Sequence, residues 1–232
     1  MRLIFIRHGE PNYEKDILTQ TGREQAQSTA KRLQGEDIKA IYASPMGRAK
    51  ETASYTAKAH GLDVKTLDFM HEINWGDKDG NSDKLPYDGH PWTLAYRVLT
   101  DSPEYVGKDN WTEHHFFKDN ICMEYYEKVS EAFDKFLESY GLYRKNGLYE
   151  CREHNDDTIA LFAHGGSGAV MFSHVLNLPF PFVLTSIPYG VCSVSIINFE
   201  EQEGRIAIPR LELFNDMGHI ESFKQEKLHF KK

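Results

Sequence analysis

The chain opens on Leu3-Ile4-Phe5-Ile6, four apolar residues with no polar interruption. So short and uniform a run, rich in β-branched side chains, predicts a strand buried on both faces, as in a parallel sheet. Arg7 and His8 follow at once, so His8 falls where strand becomes loop. Thr21 and Glu24 then stand at capping-box spacing, with Ala26, Ala30 and Leu33 at helical intervals behind them, which predicts a helix capped by Thr21. Ile38 to Ala43 reads as a second strand. Ser44-Pro45 then opens a helix, with Ser as N-cap and Pro at the first helical position, and Gly61 closes it. Val64 to Leu67 predicts a third, shorter strand.

From Asp77 to about Asn120 the periodic pattern stops. Gly, Pro, Asp and Asn mix there with Tyr87, Trp92, Tyr96, Tyr105, Trp111, Phe116 and Phe117. That is too aromatic for disorder, and it predicts an ordered insertion after the third strand, about 77–120, placed to serve as a substrate lid. A helix is predicted from Met123 to Tyr140, stopped by Gly141. Thr158 to Ala163 is another apolar strand, followed by His164-Gly165-Gly166-Ser167-Gly168 and a helical run from Ala169 to Leu176. Val191 to Phe199 and Ala207 to Phe214 read as late strands, and the polar last dozen residues as loosely held. Strands alternating with helices predict an α/β fold: a three-layer α/β/α sandwich with a mostly parallel central sheet.

Length and charge narrow the reading. The 232 residues fit one α/β domain, 1–232, carrying its insertion. With 27 basic and 35 acidic residues the net charge is −8, which argues against nucleic-acid or anionic-membrane surfaces. No stretch approaches a membrane span, and the first apolar run is too short for a signal sequence. Cys122, Cys151 and Cys192 show no CxxC pairing and read as free thiols in a reducing compartment, so a cytoplasmic protein is expected. The oligomeric state is left open.

The candidate chemistry lies at three strand ends, where open α/β sheets bind ligands. Arg7-His8-Gly9-Glu10, Ser44-Pro45-Met46-Gly47-Arg48-Ala49 and His164-Gly165-Gly166 together offer two arginines, two histidines and a helix N-terminus. Guanidinium forks match the oxygens of a transferring phosphoryl group, and a neutral imidazole is a competent nucleophile toward phosphorus. Two arginines and a second histidine can supply the positive charge without a metal or other cofactor. His114-His115 with Glu113 lacks metal-ligand spacing and reads as exposed or packed within the insertion.

These motifs resemble the histidine phosphatase superfamily, the phosphoglycerate-mutase-like fold with its RHG motif. The resemblance runs through Ile6 to Glu10, Leu18-Thr19 to Gly22, Gln25-Ala26, Ser44 to Ala53, Glu72 and Ala163 to Gly166. It implies that His8 takes the phosphoryl group while Arg7, Arg48 and His164 surround its oxygens. Glu72 would be the proton donor and later the base for water, with Asp77 and then Asp79 as fallbacks. Asn12 would be a further phosphate ligand, although Pro11-Asn12 stand where the family usually has Thr or Ser before that Asn. The implied activity is hydrolysis of a small phosphate ester through phosphohistidine. A phosphoglycerate-type mutase is the runner-up, since the Arg-Arg-Ser stretch of such mutases is missing. A non-catalytic phosphate-binding protein is the third reading.

Overall fold

The first apolar run forms strand β1 (Arg2–Arg7), with Leu3 through Ile6 all buried. The computed structural model describes residues 1–107, 110–200 and 202–220, so the polar last dozen residues lie outside the described residues. After β1, a small two-stranded ribbon pairs β2 (Pro11–Asn12) with β3 (Ile17–Leu18). Helix α1 (Gln20–Leu33) follows, then β4 (Ile38–Ala43), α2 (Gly47–His60) and β5 (Val64–Thr66). Gly61 closes α2 in the left-handed conformation, φ 66°, as its position predicts.

The insertion is a series of 3₁₀ turns around two helices, α3 (Pro91–Asp101) and the short α4 (His115–Lys118). Next come α5 (Cys122–Glu138), a hairpin of β6 (Leu142–Lys145) and β7 (Leu148–Cys151), β8 (Thr158–Ala163) and α6 (Gly165–Leu176). Helix α7 (Phe180–Ser186) and strands β9 (Val194–Glu200) and β10 (Ile206–Asp216) complete the regular elements.

Eight strands form one sheet in the order β5-β4-β8-β1-β9-β10-β7-β6. The β5-β4-β8-β1 half is parallel, and the β1-β9-β10-β7-β6 half is antiparallel, so the helix-flanked sheet is the expected α/β architecture in mixed form. The parallel half carries the core, in which Ile4, Ile6, Ile41, Ala160 and Phe162 pack with Ala53 of α2. In β1 and β8 apolar runs unbroken by polar residues were the correct sign, because both faces are covered, whereas β4 carries the exposed Lys39.

The chain divides into two compact units. One holds the sheet and comprises residues 1–72, 134–168 and 189–220 of the described chain. The other comprises residues 73–133 and 169–188, where α3 packs along α7. Its core is aromatic: the Trp111 ring lies 5.3 Å from Phe117, 5.1 Å from Tyr126 and 5.6 Å from Phe180.

Three boundaries differ from the sequence expectation for local physical reasons. Helix α1 is capped by Thr19, not Thr21, because the Thr19 hydroxyl accepts the Gly22 N–H at 3.0 Å. Helix α2 begins at Gly47 with Met46 as N-cap, so Ser44 caps nothing. Helix α6 starts at Gly165 rather than Ala169: its glycines are not a loop but a close-packing surface, and a Cβ on Gly168 would meet the Phe5 ring at 2.4 Å. The β2–β3 ribbon, α3, α4, the β6–β7 hairpin and α7 are additions to the expected list. The hairpin turns on Asn146-Gly147, both at positive φ (50° and 81°), as a two-residue turn of the primed kind requires.

Candidate active site

The register of the parallel strands assembles the site. Arg7 lies opposite Ala163 in the β1–β8 ladder, and the His8 N–H continues it by donating to the Ala163 carbonyl at 3.0 Å. On the other side of β8, Ala43 pairs with Phe162, and the Ser44 N–H donates to the Phe162 carbonyl at 2.9 Å. His8, His164 and Ser44 therefore follow adjacent strand ends, and the two imidazole centroids stand 5.1 Å apart. The loop after β1 is pinned from two helices: the Gly9 N–H donates to Thr52 of α2 and the Glu10 N–H to the Gln25 amide oxygen of α1. Gly22 allows the close approach, since a Cβ there would lie 2.2 Å from the Glu10 carbonyl oxygen.

Both histidines are buried, His8 at 1% exposure and His164 at 0%. Burial, with the Arg7 and Arg48 charges, pushes the His8 pKa down to about 3 against the opposing pull of the Gly9 carbonyl. Burial also holds His164 far below the ordinary imidazole range, with His8, Arg48, Arg7 and His71 adding to the effect. Both rings are neutral near pH 7, and hydrogen bonds then decide which nitrogen carries the proton. His8 Nδ1 lies 2.7 Å from the Gly9 carbonyl oxygen, which can only accept, so Nδ1 holds the proton. His8 Nε2 is left with its lone pair and accepts from Arg48 Nε at 3.4 Å.

His164 is tied the opposite way. Its Nε2 lies 2.7 Å from Ser44 Oγ, which also accepts the Met46 N–H at 3.3 Å. Among the described residues the buried Ser44 hydroxyl has His164 Nε2 as its one acceptor within reach, and assigning its proton there places the imidazole proton on Nδ1. His164 Nδ1 and Arg7 Nε are buried donors with no protein acceptor among the described residues. Such donors are rare in folded proteins and point to an external acceptor.

Arg7 is anchored by Nη1 to the Tyr189 carbonyl at 2.7 Å. Arg48, 5% exposed, spends Nη1 on Asp16 Oδ1 at 2.6 Å. Glu72 sits at the head of α6, where Oε1 accepts the Ser167 N–H at 3.0 Å. Asn12 uses its Oδ1 to accept the Lys15 N–H at 3.1 Å in an exposed turn. The α2 N-terminus also differs from expectation, because its Gly47 N–H is already taken by Asp16 Oδ2 at 2.6 Å.

Ser44, Asp16, Ser167 and the Tyr189 carbonyl are site-building groups that the motifs did not reveal. In the other unit, the fallback Asp77 accepts the Asp79 and Asn81 N–H groups within its own turn. There too the buried His114 accepts the Phe116 N–H and stacks on the exposed His115 with centroids 4.5 Å apart.

The model of the histidine phosphatase superfamily (branch 1) matches residues 3–211. A "probable phosphoglycerate mutase GpmB" from Yersinia enterocolitica is 34% identical over 233 residues, covering 95% of each chain. A 2,3-bisphosphoglycerate-dependent phosphoglycerate mutase from Thermoplasma acidophilum is 37% identical over 87 residues, and the chain spans only 44% of that protein's length. Among solved structures, YhfR of Bacillus stearothermophilus superposes with a TM-score of 0.63 at 22% identity, covering 95% of this chain and 99% of that one. Mycobacterial glucosyl-3-phosphoglycerate phosphatase Rv2419c gives 0.61 at 20% identity over 92% and 98%. These two share the fold.

Proposed function

The chain belongs to the histidine phosphatase superfamily, and from that premise we propose that it hydrolyses a small phosphate monoester through a phosphohistidine on His8. The observation that carries this reading is the opposed tethering of two buried neutral imidazoles. One presents a lone pair at Nε2 and the other an N–H at Nδ1, as a nucleophile and an oxyanion donor must.

In the proposed reaction His8 Nε2 attacks phosphorus while the ester P–O bond breaks. Arg7, Arg48 and the His164 Nδ1–H receive the equatorial oxygens, whose charge grows in the transition state. The Glu72 carboxyl donates its proton to the departing oxygen. Water then attacks the phosphohistidine, giving its proton to the Glu72 carboxylate and releasing inorganic phosphate. Residues 77–120 are proposed to select the substrate; exchanging them should change preference among alkyl phosphates and spare para-nitrophenyl phosphate turnover. Among the described residues no helix is long and apolar enough to cross a membrane. Cys122, Cys151 and Cys192 are buried thiols and not disulfides, and a cytoplasmic location is proposed on that ground.

A mutase reading rests on the names of the relatives, and assays separate the two. A phosphatase releases inorganic phosphate from para-nitrophenyl phosphate at a rate unchanged by EDTA. A mutase instead moves the phosphoryl group between positions of a phosphoglycerate, with hydrolysis a minor leak. Dependence of turnover on added Mg²⁺ or Zn²⁺ contradicts the proposed chemistry. Glu72→Gln should slow phosphorylation by an alkyl phosphate on the order of 10²- to 10⁴-fold, and far less for para-nitrophenyl phosphate, whose leaving group needs no proton. Equal slowing of both esters in pre-steady-state kinetics removes Glu72 as the acid.

A further inference from the structure

Arg48 is held from three sides before any ligand arrives. Its Nε faces His8 Nε2 at 3.4 Å, its Nη1 bonds Asp16 Oδ1 at 2.6 Å, and its guanidinium carbon lies 5.4 Å from the Tyr13 ring centroid. Asp16 and Tyr13 belong to the short loop between β2 and β3. That loop is fitted to α2 by backbone as well as side chain. Asp16 adopts a left-handed conformation, φ 50°, and a Cβ on Gly47 would lie 2.2 Å from the Asp16 carbonyl oxygen. The other carboxylate oxygen accepts the Gly47 N–H at 2.6 Å, replacing the cap that the Met46 side chain does not supply. One carboxylate therefore occupies the first helical N–H of α2 and one arm of a buried phosphate-site arginine.

We propose that Asp16 is a positioning residue with two opposed effects: it fixes the Arg48 fork against His8, and its charge weakens the site's hold on a bound phosphate. The proposal rests on the reading of Arg48 as a phosphate ligand. Fixing Nη1 leaves Nε and Nη2 as the guanidinium edge turned toward the His8 side, so orientation is settled before substrate binds. A carboxylate on the far arm also offsets the arginine's charge, and a phosphate dianion and a carboxylate sharing one guanidinium repel each other. Burial raises the Asp16 pKa, and the Gly47 and Arg48 bonds outweigh that, leaving it below the usual carboxylate range. The charged carboxylate is thus the favoured form. An over-tight ground state for phosphate lowers no barrier and retards product release, so a counter-charge beside Arg48 favours turnover.

The test is Asp16→Asn. Asn tolerates the left-handed conformation, and its amide oxygen can still accept the Gly47 N–H. Two measurements are compared with the wild type: calorimetric binding of inorganic phosphate and of vanadate, and the single-turnover rate of His8 phosphorylation. The expected result is a split, with anion binding tighter by about 3- to 10-fold and phosphoryl transfer slower by about 10-fold. Asp16→Gly, which keeps the backbone conformation and removes the side chain, should show the same tighter binding. Binding and rate falling together, neither changing, or failure of both variants to fold overturns the proposal and leaves Asp16 a structural cap. Failure of the phosphatase reading looks different. The wild type then forms no acid-labile phosphoenzyme, whereas the anion affinities of wild type and variant remain comparable by calorimetry.

Discussion

The ends of β1 and β8 are near copies of each other, and they do opposite things. Each is an apolar parallel strand that releases a buried histidine followed by glycine. Both imidazoles are neutral because burial and two nearby arginines disfavour the cation. The difference lies in the atom behind each ring. A backbone carbonyl behind His8 takes the Nδ1 proton and turns the Nε2 lone pair inward. A serine hydroxyl behind His164 gives its proton to Nε2 and leaves the Nδ1–H facing in. Chemical role at a strand end is thus set by the partner on the far nitrogen and not by the histidine itself.

Replacing the two rings in turn breaks the comparison most severely. His8→Ala should abolish turnover and leave no trappable phosphoenzyme, since it removes the proposed nucleophile. His164→Ala removes the proposed oxyanion donor and should slow transfer by about 10²- to 10³-fold, with an acid-labile, base-stable phosphoenzyme still forming. A phosphoenzyme on the His8 variant, or none on the His164 variant, reverses the assignments.

Ser44→Ala probes the cause of the difference and has a smaller expected effect. Losing one hydrogen bond of net value about 1 kcal/mol predicts roughly a five- to ten-fold slower phosphorylation. The decisive readout is the nitrogen-15 spectrum of the His164 ring. The wild type should show the Nδ1–H tautomer and the alanine variant a mixture, with Ser44→Thr restoring the former. An unchanged tautomer with a slower enzyme would mean that Ser44 acts only on the fold.

The two strand ends were legible in the sequence for a physical reason. A strand covered on both faces has no choice but an unbroken apolar run, so Leu3–Ile6 and Thr158–Ala163 announce themselves, and the first polar residues beyond them must lie at the sheet edge. The partners were not legible. Ser44 is 120 residues from His164 and looks locally like a helix cap, and only the register of β4 against β8 reveals its use. Asp16 lies 32 residues from Arg48 in an exposed-looking turn. The β6–β7 hairpin was a different failure, because Asn146-Gly147 is a local signal that could have been read. The insertion gave only its aromatic character: its short 3₁₀ turns have no period to detect, and α3, opened by Pro91 with Leu94 and Val98 on its buried face, is a local signal that could have been read.

The last effect concerns the neutrality shared by the two rings, and it appears in stability and not in rate. An unfolded imidazole titrates near pH 6.5, whereas native His8 waits until about 3 and His164 lies lower still. Between those values the unfolded chain binds protons that the native chain refuses. Stability therefore falls as pH drops from about 6.5 and is unaffected above it, by up to about 1.4 kcal/mol per pH unit for each such histidine. His114 and His219 are also lowered by burial and contribute to the same slope. His8→Asn isolates one ring against that common background, because the amide does not titrate. Urea unfolding at pH 7, 6 and 5 should give the wild type a steeper loss than the variant, by about one proton's worth. Parallel slopes would mean that His8 titrates normally in the native protein, and the lone pair assigned to its Nε2 would then be absent over much of the working pH range.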